Sequence, residues 1–187
     1  MAPKPFPSGH VLAAADVNDL TGVTVRAPTE VDVVSTTTET ALVLQSIVAS
    51  AMSTDRMLRL TLGGDILQNA GATPTIRVYF RDNGGGVMWQ TALSLAGDAD
   101  RRPWSLTLTV QNINSASVQR LYGTLAIGDA TPAAVGLGSG AAVVTVPFGG
   151  TGTANSALTC EFKVTLQWDT NSANASWRKR LGALELL

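Results

Sequence analysis

Apolar and polar residues alternate along several stretches of the chain, most clearly over residues 157–168. The apolar side chains there occupy every second position, at Leu158, Cys160, Phe162, Val164, Leu166 and Trp168. Because successive side chains of a β-strand point to opposite faces, this spacing predicts a strand with one face in a core and the other in water or against a polar partner. A helix would scatter the six apolar groups around its axis.

The sequence predicts about eight core strands, some from the same alternation and others from short runs between turn signals. They include residues 40–48, 58–62, 76–81, 87–95, 104–111, 121–127, 142–146 and 175–187. In the first of these we expect Leu42 and Leu44 to point inward, with a bulge near Ser46 where the phase slips. In the last, Trp177 and Leu181 are expected to share one face of the strand.

Glycine and proline mark the connections between these strands. We expect Gly63 and Gly64 to bend or break a strand, residues 69–71 to form a turn, and residues 82–86 to close a hairpin. Residues 132–140 and 147–155 are predicted to be loops.

Open antiparallel sheets of about eight strands usually fold over into a sandwich or close into a barrel. We therefore predict an all-β fold, an antiparallel two-sheet jelly-roll-like sandwich. The alternative is an immunoglobulin-like sandwich, which more often carries a paired cysteine and is shorter.

The amino-terminal segment has a different pattern. Pro3, Pro5 and Pro7 disfavour a helix and keep the backbone extended. Residues 12–20 then predict one short helix, and residues 23–34 predict one or two short strands or an extended linker. We place a boundary after Ser35, which divides the chain into an amino-terminal anchoring arm (1–35) and a β-domain (36–187).

Composition indicates an oligomer. Only 14% of the 187 residues are charged, against roughly 25% in typical soluble domains. Subunit interfaces resemble protein interiors, so an obligate oligomer explains this deficit.

The net charge of −1 argues against a nucleic-acid or anionic-membrane partner. No apolar run approaches the ~20 residues of a membrane helix, and the proline-rich start is unlike a secretory signal.

Few residues offer catalytic chemistry. Cys160 is the single cysteine and lies on the apolar phase of its strand, which favours a buried thiol over a nucleophile. His10 is the only histidine, so neither a catalytic triad nor a histidine metal site is expected. Residues 136–141 match a loose dinucleotide fingerprint but lack its strand and helix context, and we interpret them as a loop. We expect no catalytic residue, cofactor or resident metal.

Two charged motifs leave alternatives open. Asp98 and Asp100 could offer oxygens to Ca²⁺, although neutralisation by Arg101 and Arg102 is the commoner outcome. Residues 178–180 (Arg-Lys-Arg) form a basic run, but on a strand the lysine would point away from the two arginines. A polar sheet face or an inter-subunit pairing is therefore favoured over nucleic-acid binding.

The four tryptophans are dispersed, and most lie in apolar phase. They are Trp89, Trp104, Trp168 and Trp177. Sugar-binding clefts favour exposed aromatic rings, so we interpret these residues as core or interface side chains.

Two parts of the chain resemble structural proteins of tailed bacteriophages. Residues 5–20 (PFPSGHVLAAADVNDL) are similar to the attachment module that opens many phage fibre and minor virion proteins, through Phe6, Gly9, Leu12, Ala14, Ala15, Asp16, Asn18 and Leu20. Residues 58–80, 101–112 and 171–187 are similar to the jelly-roll-like domains of small head-decoration, head-fibre and tail-fibre proteins.

This resemblance implies a non-enzymatic virion protein, made in the host cytoplasm and assembled as a homotrimer. As a capsid decoration or head-fibre subunit, it would attach its arm to the major capsid protein or another virion protein, through the apolar residues Phe6, Leu12, Val17 and Leu20. The alternative is a receptor-binding tail-fibre or tail-tip protein that contacts a host surface glycan through loop residues Asp82, Asn83, Gly84, Leu137 and Ser139. An enzyme such as a depolymerase ranks third, because its paired carboxylates cannot be placed.

Overall fold

The computed structural model describes residues 24–26, 29–52, 56–82, 86–128 and 144–187, which form eleven β-strands and no helix. In chain order the strands are β1 (Thr24–Arg26), β2 (Val31–Val34), β3 (Thr40–Ile47), β4 (Met57–Gln68), β5 (Pro74–Arg81), β6 (Val87–Ala92), β7 (Asp98–Asn112), β8 (Gln119–Ile127), β9 (Val144–Gly152), β10 (Cys160–Trp168) and β11 (Ala175–Leu186). Strands β1 and β2 confirm the short strands predicted in residues 23–34. The predicted helix at residues 12–20 lies outside the described residues.

The strands form two antiparallel sheets, as predicted. The large sheet has seven strands in the order β1-β11-β4-β7-β8-β9, with β2 also paired to β11. The small sheet has four strands in the order β3-β10-β5-β6. Strands β1 and β2 occupy different halves of one edge of β11, where they pair with residues 183–185 and 176–179 respectively. Both therefore belong to the large sheet, although they precede the boundary predicted after Ser35.

Eight of the strands pair in a nested pattern. The pairs are β2 with β11, β3 with β10, β4 with β7, and β5 with β6. This nesting places the row β2-β11-β4-β7 in the large sheet and the row β3-β10-β5-β6 in the small one. The β8–β9 hairpin lies between β7 and β10 in the chain and widens the large sheet beyond β7.

Both sheets contribute to one hydrophobic core, and the predicted alternation of five strands is confirmed. The buried residues include Leu58, Leu60 and Leu62 of β4; Ile76, Val78 and Phe80 of β5; Trp104, Leu106, Leu108 and Val110 of β7; Leu121, Leu125 and Ile127 of β8; and Cys160, Phe162, Val164, Leu166 and Trp168 of β10. The outward positions of these strands are mostly polar, so each strand presents one apolar face to the other sheet.

The tryptophans are core residues, as predicted. Trp104, Trp168 and Trp177 are buried, and Trp89 is half-buried against the core. Trp104 and Trp168 donate their indole N–H groups to backbone carbonyl oxygens, at 3.0 and 3.2 Å. These hydrogen bonds satisfy the polar atom that each ring carries into the interior.

A bulge in β3 corrects one prediction. Leu44 is 59% exposed rather than inward-facing. In the pairing with β10, Val164 opposes Val43 whereas Thr165 opposes Ala41, so Leu42 is the extra residue of a bulge. The phase therefore reverses earlier than the predicted position at Ser46, and Leu44 turns to the outer face.

A second bulge lies in β11. The register against β4 shifts between Lys179 and Leu181. Trp177 and Lys179 point inward before the shift, whereas Leu181 points outward after it and is 56% exposed. The prediction that Leu181 shares the face of Trp177 is therefore wrong.

The glycine pair in β4 lies opposite this second bulge. The sequence predicted a bend or a break at this pair, and β4 runs through Gly63 and Gly64 without a break. A Cβ atom on Gly64 would lie 1.9 Å from the carbonyl oxygen of Arg178. Glycine is needed there because the bulged backbone of β11 approaches too closely for a side chain.

Strand β9 also departs from prediction, because it continues to Gly152 where a loop from residue 147 was expected. A Cβ atom on Gly150 would lie 2.1 Å from the carbonyl oxygen of Met88 in β6. Nearby, the ring of Phe148 stacks on Trp89 with a centroid distance of 3.8 Å. The glycines thus allow β9 to pack closely against β6, along one side of the sandwich. Leu158 is exposed, because β10 begins only at Cys160.

The sandwich has two ends, which we name by the position of β1. At the proximal end β3 and β11 finish and β1 begins, and the strands there are joined through residues 48–56, 82–86, 113–118 and 153–159. At the distal end they are joined through residues 35–39, 69–73, 93–97, 128–143 and 169–174. The proximal connections are held together by a buried network in which Asn112 donates to Ser156 and Met52, and Gln119 donates to Asn112.

Candidate functional site

Most of the predicted site residues lie outside the described part of the chain. These are the arm residues Phe6, Leu12, Val17 and Leu20 and the loop residues Asn83, Gly84, Leu137 and Ser139. Asp82 is described: its carboxylate accepts a hydrogen bond from the backbone N–H of Asn155 at 3.0 Å. This bond ties the end of β5 to the connection before β10.

The strands that flank the two predicted receptor loops place the loop ends at opposite ends of the sandwich. Residues 82–86 join β5 to β6 at the proximal end, whereas residues 128–143 join β8 to β9 at the distal end. A strand of nine residues such as β8 spans roughly 30 Å at about 3.3 Å per residue. The points at which the two connections join the sandwich are therefore separated by about the length of a strand.

The outer face of the large sheet carries an uncharged band. The cross-strand register places ten side-chain positions in two adjacent rows over β11, β4, β7, β8 and β9. The rows are Leu181, Gly63, Ser105, Ala126 and Thr145, and Ala183, Thr61, Thr107, Thr124 and Pro147. Small hydroxyl and methyl groups dominate, and most of these residues are exposed. A surface of small, uncharged side chains allows another β-surface to approach closely without desolvating charges.

Paired charges border the band on both sides. Toward the proximal end, Arg59 donates to Glu185 at 2.6 Å. Toward the distal end, Asp65 accepts hydrogen bonds from Arg101 and Arg180, and Arg180 also pairs with Glu30. These arginines are neutralised within the chain, which leaves the band between them as the charge-free part of the face.

The ion pairs at the distal border show which carboxylate Arg101 contacts. Arg101 contacts Asp65 and the hydroxyl of Ser176, the latter at 2.8 Å, so its carboxylate partner is on the neighbouring strand β4. Asp98 and Asp100 lie at the start of β7. Among the described residues no group of three or more histidine, cysteine, aspartate or glutamate side chains could hold a metal ion.

The basic run in β11 is split between the two faces, as predicted. Arg178 lies 3.4 Å from Asp32 on the outer face, as part of the same polar surface as Arg180. Lys179 points inward and is only 2% exposed, and this burial lowers its pKa. The prediction of a polar sheet face is confirmed for the two arginines.

The outer face of the small sheet carries a polar network centred on Glu39. One oxygen of Glu39 accepts hydrogen bonds from Thr165 at 2.7 Å and from the Tyr79 hydroxyl at 2.8 Å. Its other oxygen lies 3.6 Å from Arg77, which also donates to Gln167 at 2.9 Å. Both oxygens of the carboxylate are therefore engaged, and the network joins the segment before β3 to strands β10 and β5.

The network shifts the pKa values of its members. Partial burial raises the pKa of Glu39, but hydrogen bonds from Thr165 and Tyr79 and the charge of Arg77 outweigh it, so the pKa lies below its ordinary value. Burial and the hydrogen bond to Glu39 raise the pKa of Tyr79. Glu39 is thus an ionised acceptor and Tyr79 a neutral donor near neutral pH.

Two cations lie beside the ring of Tyr79. The guanidinium of Arg81 is 5.2 Å and the ammonium of Lys163 is 5.7 Å from its centroid. Arg81 also binds Glu161 directly across the sheet at 2.8 Å. The face is therefore held by internal pairs, which suits a rigid polar surface.

This network was not predicted from the sequence. Glu39 lies in a connection, and its partners come from strands distant in the chain. Thr165 occupies a polar position of the alternating strand, as Lys163 and Gln167 do, so its burial in the structure could not be foreseen from its neighbours. The prediction for Cys160 is confirmed: the thiol is buried, and burial followed by the charge of Asp82 raises its pKa.

Two results concern the chain as a whole. The described residues contain no helix long and apolar enough to cross a membrane. No family model, no curated protein and no solved structure matches the sequence or its fold.

Proposed function

We propose that the chain is a non-enzymatic structural subunit of a tailed-bacteriophage virion, a capsid decoration or head-fibre protein. The arm, through Phe6, Leu12, Val17 and Leu20, attaches it to the major capsid protein or another virion protein. The β-sandwich is displayed from the particle as a homotrimer. One reason is the resemblance of residues 5–20, 58–80, 101–112 and 171–187 to such proteins. The other is that the first described residue and the longest connection lie at opposite ends of the sandwich.

The separation of these two features at opposite ends of the sandwich is the observation that carries the proposal. The first described residue, Thr24, lies at the proximal end of the sandwich, because it pairs with Glu185 near the end of β11. The longest connection, residues 128–143, starts and finishes at the distal end. An element that attaches through its amino terminus and displays its bulk outward requires this separation between attachment and display.

The same proposal includes a jelly-roll topology. Nested antiparallel pairing of eight strands, with the rows β2-β11-β4-β7 and β3-β10-β5-β6, supports it. Jelly rolls are built from eight strands in two sheets and are common in viral capsid proteins. On this assignment the β8–β9 hairpin is an insertion that widens one sheet. Proteins of many functions share this fold. The proposed virion role therefore rests on the arm and on the opposite placement of Thr24 and the longest connection.

The homotrimer is proposed to form through the uncharged band of the large sheet. A second copy is the occupant that the charges favour, because the bordering arginines and carboxylates are already paired within each chain. Burying the band would remove hydroxyl and methyl groups from water without stranding a charge. It would also explain why only 14% of the residues are charged.

A receptor-binding tail-fibre or tail-tip protein is the second candidate. The distal position of residues 128–143 favours it, since this connection would then face away from the particle. Binding would involve a host surface glycan and the predicted loop residues Leu137 and Ser139. The proximal hairpin with Asp82, Asn83 and Gly84 would lie at the attachment end and is not part of this second proposal.

Deletion of residues 1–20 tests attachment. The truncated chain keeps β1 and β2, so we expect it to fold and to retain its oligomeric mass, yet to be absent from purified virions that incorporate the full chain. Normal occupancy by the truncated chain would overturn the proposal. Quantifying the full chain per virion then separates the candidates, because a decoration protein is present in far more copies than a tail-tip protein.

A further inference from the structure

An apolar groove of about 390 Å³ opens between the two sheets at the proximal end. Ile47, Val48 and Ala51, at and after the end of β3, line one side. The other side is formed by Leu58 of β4 and by Leu184 and Leu186 of β11. Val48 is 68% exposed, so the groove presents apolar surface to solvent in the described part of the chain. Covering such surface is favourable by about 25 cal/mol per Å².

The path of β1 brings the amino-terminal segment to this groove. Thr24 pairs with Glu185, which lies between the two groove-lining residues Leu184 and Leu186. Strand β1 is antiparallel to β11, so the described strand begins at the end of β11 that borders the groove. Residues 1–23 all precede this point. Leu20 is four residues away, within about 14 Å even for an extended chain.

We propose that residues 17–23 occupy the groove of their own chain, with Leu20 as the main buried side chain and Val17 and Val23 beside it. Three apolar residues in this short stretch match a groove whose walls are aliphatic. The chain's own segment is favoured over a second copy because its tether gives it an effective concentration in the millimolar range. Apolar burial is the driving force.

This inference divides the arm into two functional parts. Val17 and Leu20, proposed above as part of the virion contact, are on this inference assigned to the groove instead, and Phe6 and Leu12 form the virion contact. It does not depend on the virion role, because the groove and its occupant belong to the isolated chain. Failure of virion attachment would leave it unaffected.

Hydrogen exchange of the purified full chain tests the inference. Leu20→Asp should speed exchange of the backbone amides of residues 47–51 and 184–187 about tenfold, since losing one buried leucine is worth at least 1.4 kcal/mol. Leu12→Asp, a matched change in the same arm, should leave these amides unchanged. Unchanged exchange in Leu20→Asp, or an equal effect of Leu12→Asp, would overturn the proposal.

Substitutions in the groove provide the reciprocal measurement. Val48→Asp should reproduce the faster exchange and should add nothing to Leu20→Asp, whereas Leu44→Asp, on the outer face of β3, should have no such effect. Both positions are exposed, so the fold should survive either change. If protection rises with protein concentration, or if Leu20→Asp lowers the oligomeric mass, the occupant is another copy and the own-chain assignment fails.

Discussion

Phe162 and Lys163 are neighbours on β10 with opposite surroundings. Phe162 has no exposed surface, whereas Lys163 lies on the outer face beside Tyr79. Phe162→Ala should lower the free energy of unfolding by about 3–5 kcal/mol, because it removes buried surface and leaves a cavity. Lys163→Ala should cost less than about 1 kcal/mol, the worth of an exposed cation–π contact. Urea unfolding of the two variants measures both values, and equal losses would contradict the register of β10.

Ionised Glu39 makes the stability of the folded chain depend on pH in the acid range. Its pKa is lower in the folded chain, so as the pH falls the unfolded chain takes up this proton first. The stabilisation is complete above the unfolded value, near pH 4.5, and is lost as the pH falls through the folded pKa. Glu39→Gln should therefore show a shallower fall in stability below that pH than the unmodified chain.

Tyr79→Phe tests the same pH dependence without removing the carboxylate of Glu39. It removes one of the hydrogen bonds that lower the pKa of Glu39 while keeping the ring between Arg81 and Lys163. Its acid dependence should lie between those of the unmodified chain and Glu39→Gln. Denaturant midpoints measured across the acid range compare the three proteins. Parallel curves for all three would show that Glu39 is not linked to folding in this way.

At the level of elements, strands with strict alternation could be predicted from the sequence and bulged strands could not. The period of two is local, so the buried faces of β4, β5, β7, β8 and β10 follow from their own residues. A bulge is a property of two paired strands, which is why Leu44 and Leu181 were assigned to the wrong face. Glycines in β4 and β9 resembled breaks because the strand that approaches them lies elsewhere in the chain.

The surfaces were predictable only where a single strand defines them. The split of Arg178 and Arg180 from Lys179 follows from alternation alone. The Glu39 network and the uncharged band each combine residues from three or more elements, and their assembly depends on the order of strands in the sheet. Strand order is set by pairing over long sequence distances, so no local pattern reports it.

Gly64 provides a test of the β11 bulge. Gly64→Ala would place a methyl carbon 1.9 Å from the carbonyl oxygen of Arg178, so either β4 or β11 must shift. Overpacking of this kind typically costs about 1–3 kcal/mol. Gly86→Ala is the matched control, because a Cβ atom there meets nothing within 4 Å, and it should change stability by less than about 0.5 kcal/mol. Thermal melts that rank the two variants equally would exclude the close approach.

In its described part the molecule has one face with a polar network, one face with an uncharged band, and two ends of different character. The small sheet presents the internally paired network around Glu39 and Tyr79. The large sheet presents the uncharged band between two sets of paired charges. Removing a surface of methyl and hydroxyl groups from water is more favourable than removing one of paired charges. The large sheet is therefore the face on which self-association is expected.

Self-association through the band can be tested by introducing a charge at its centre. Sedimentation equilibrium of the full chain should give three times the 19.4 kDa mass of one chain. Thr107→Arg places a cation in the middle of the band, where neighbouring copies would bring like or unpaired charges together, so the mass should fall toward that of one chain. Ser94→Arg, an equivalent change at an exposed position of a distal connection, should leave the mass unchanged. A monomeric unmodified chain would refute the trimer, whereas a trimer that tolerates Thr107→Arg would place the interface on another face.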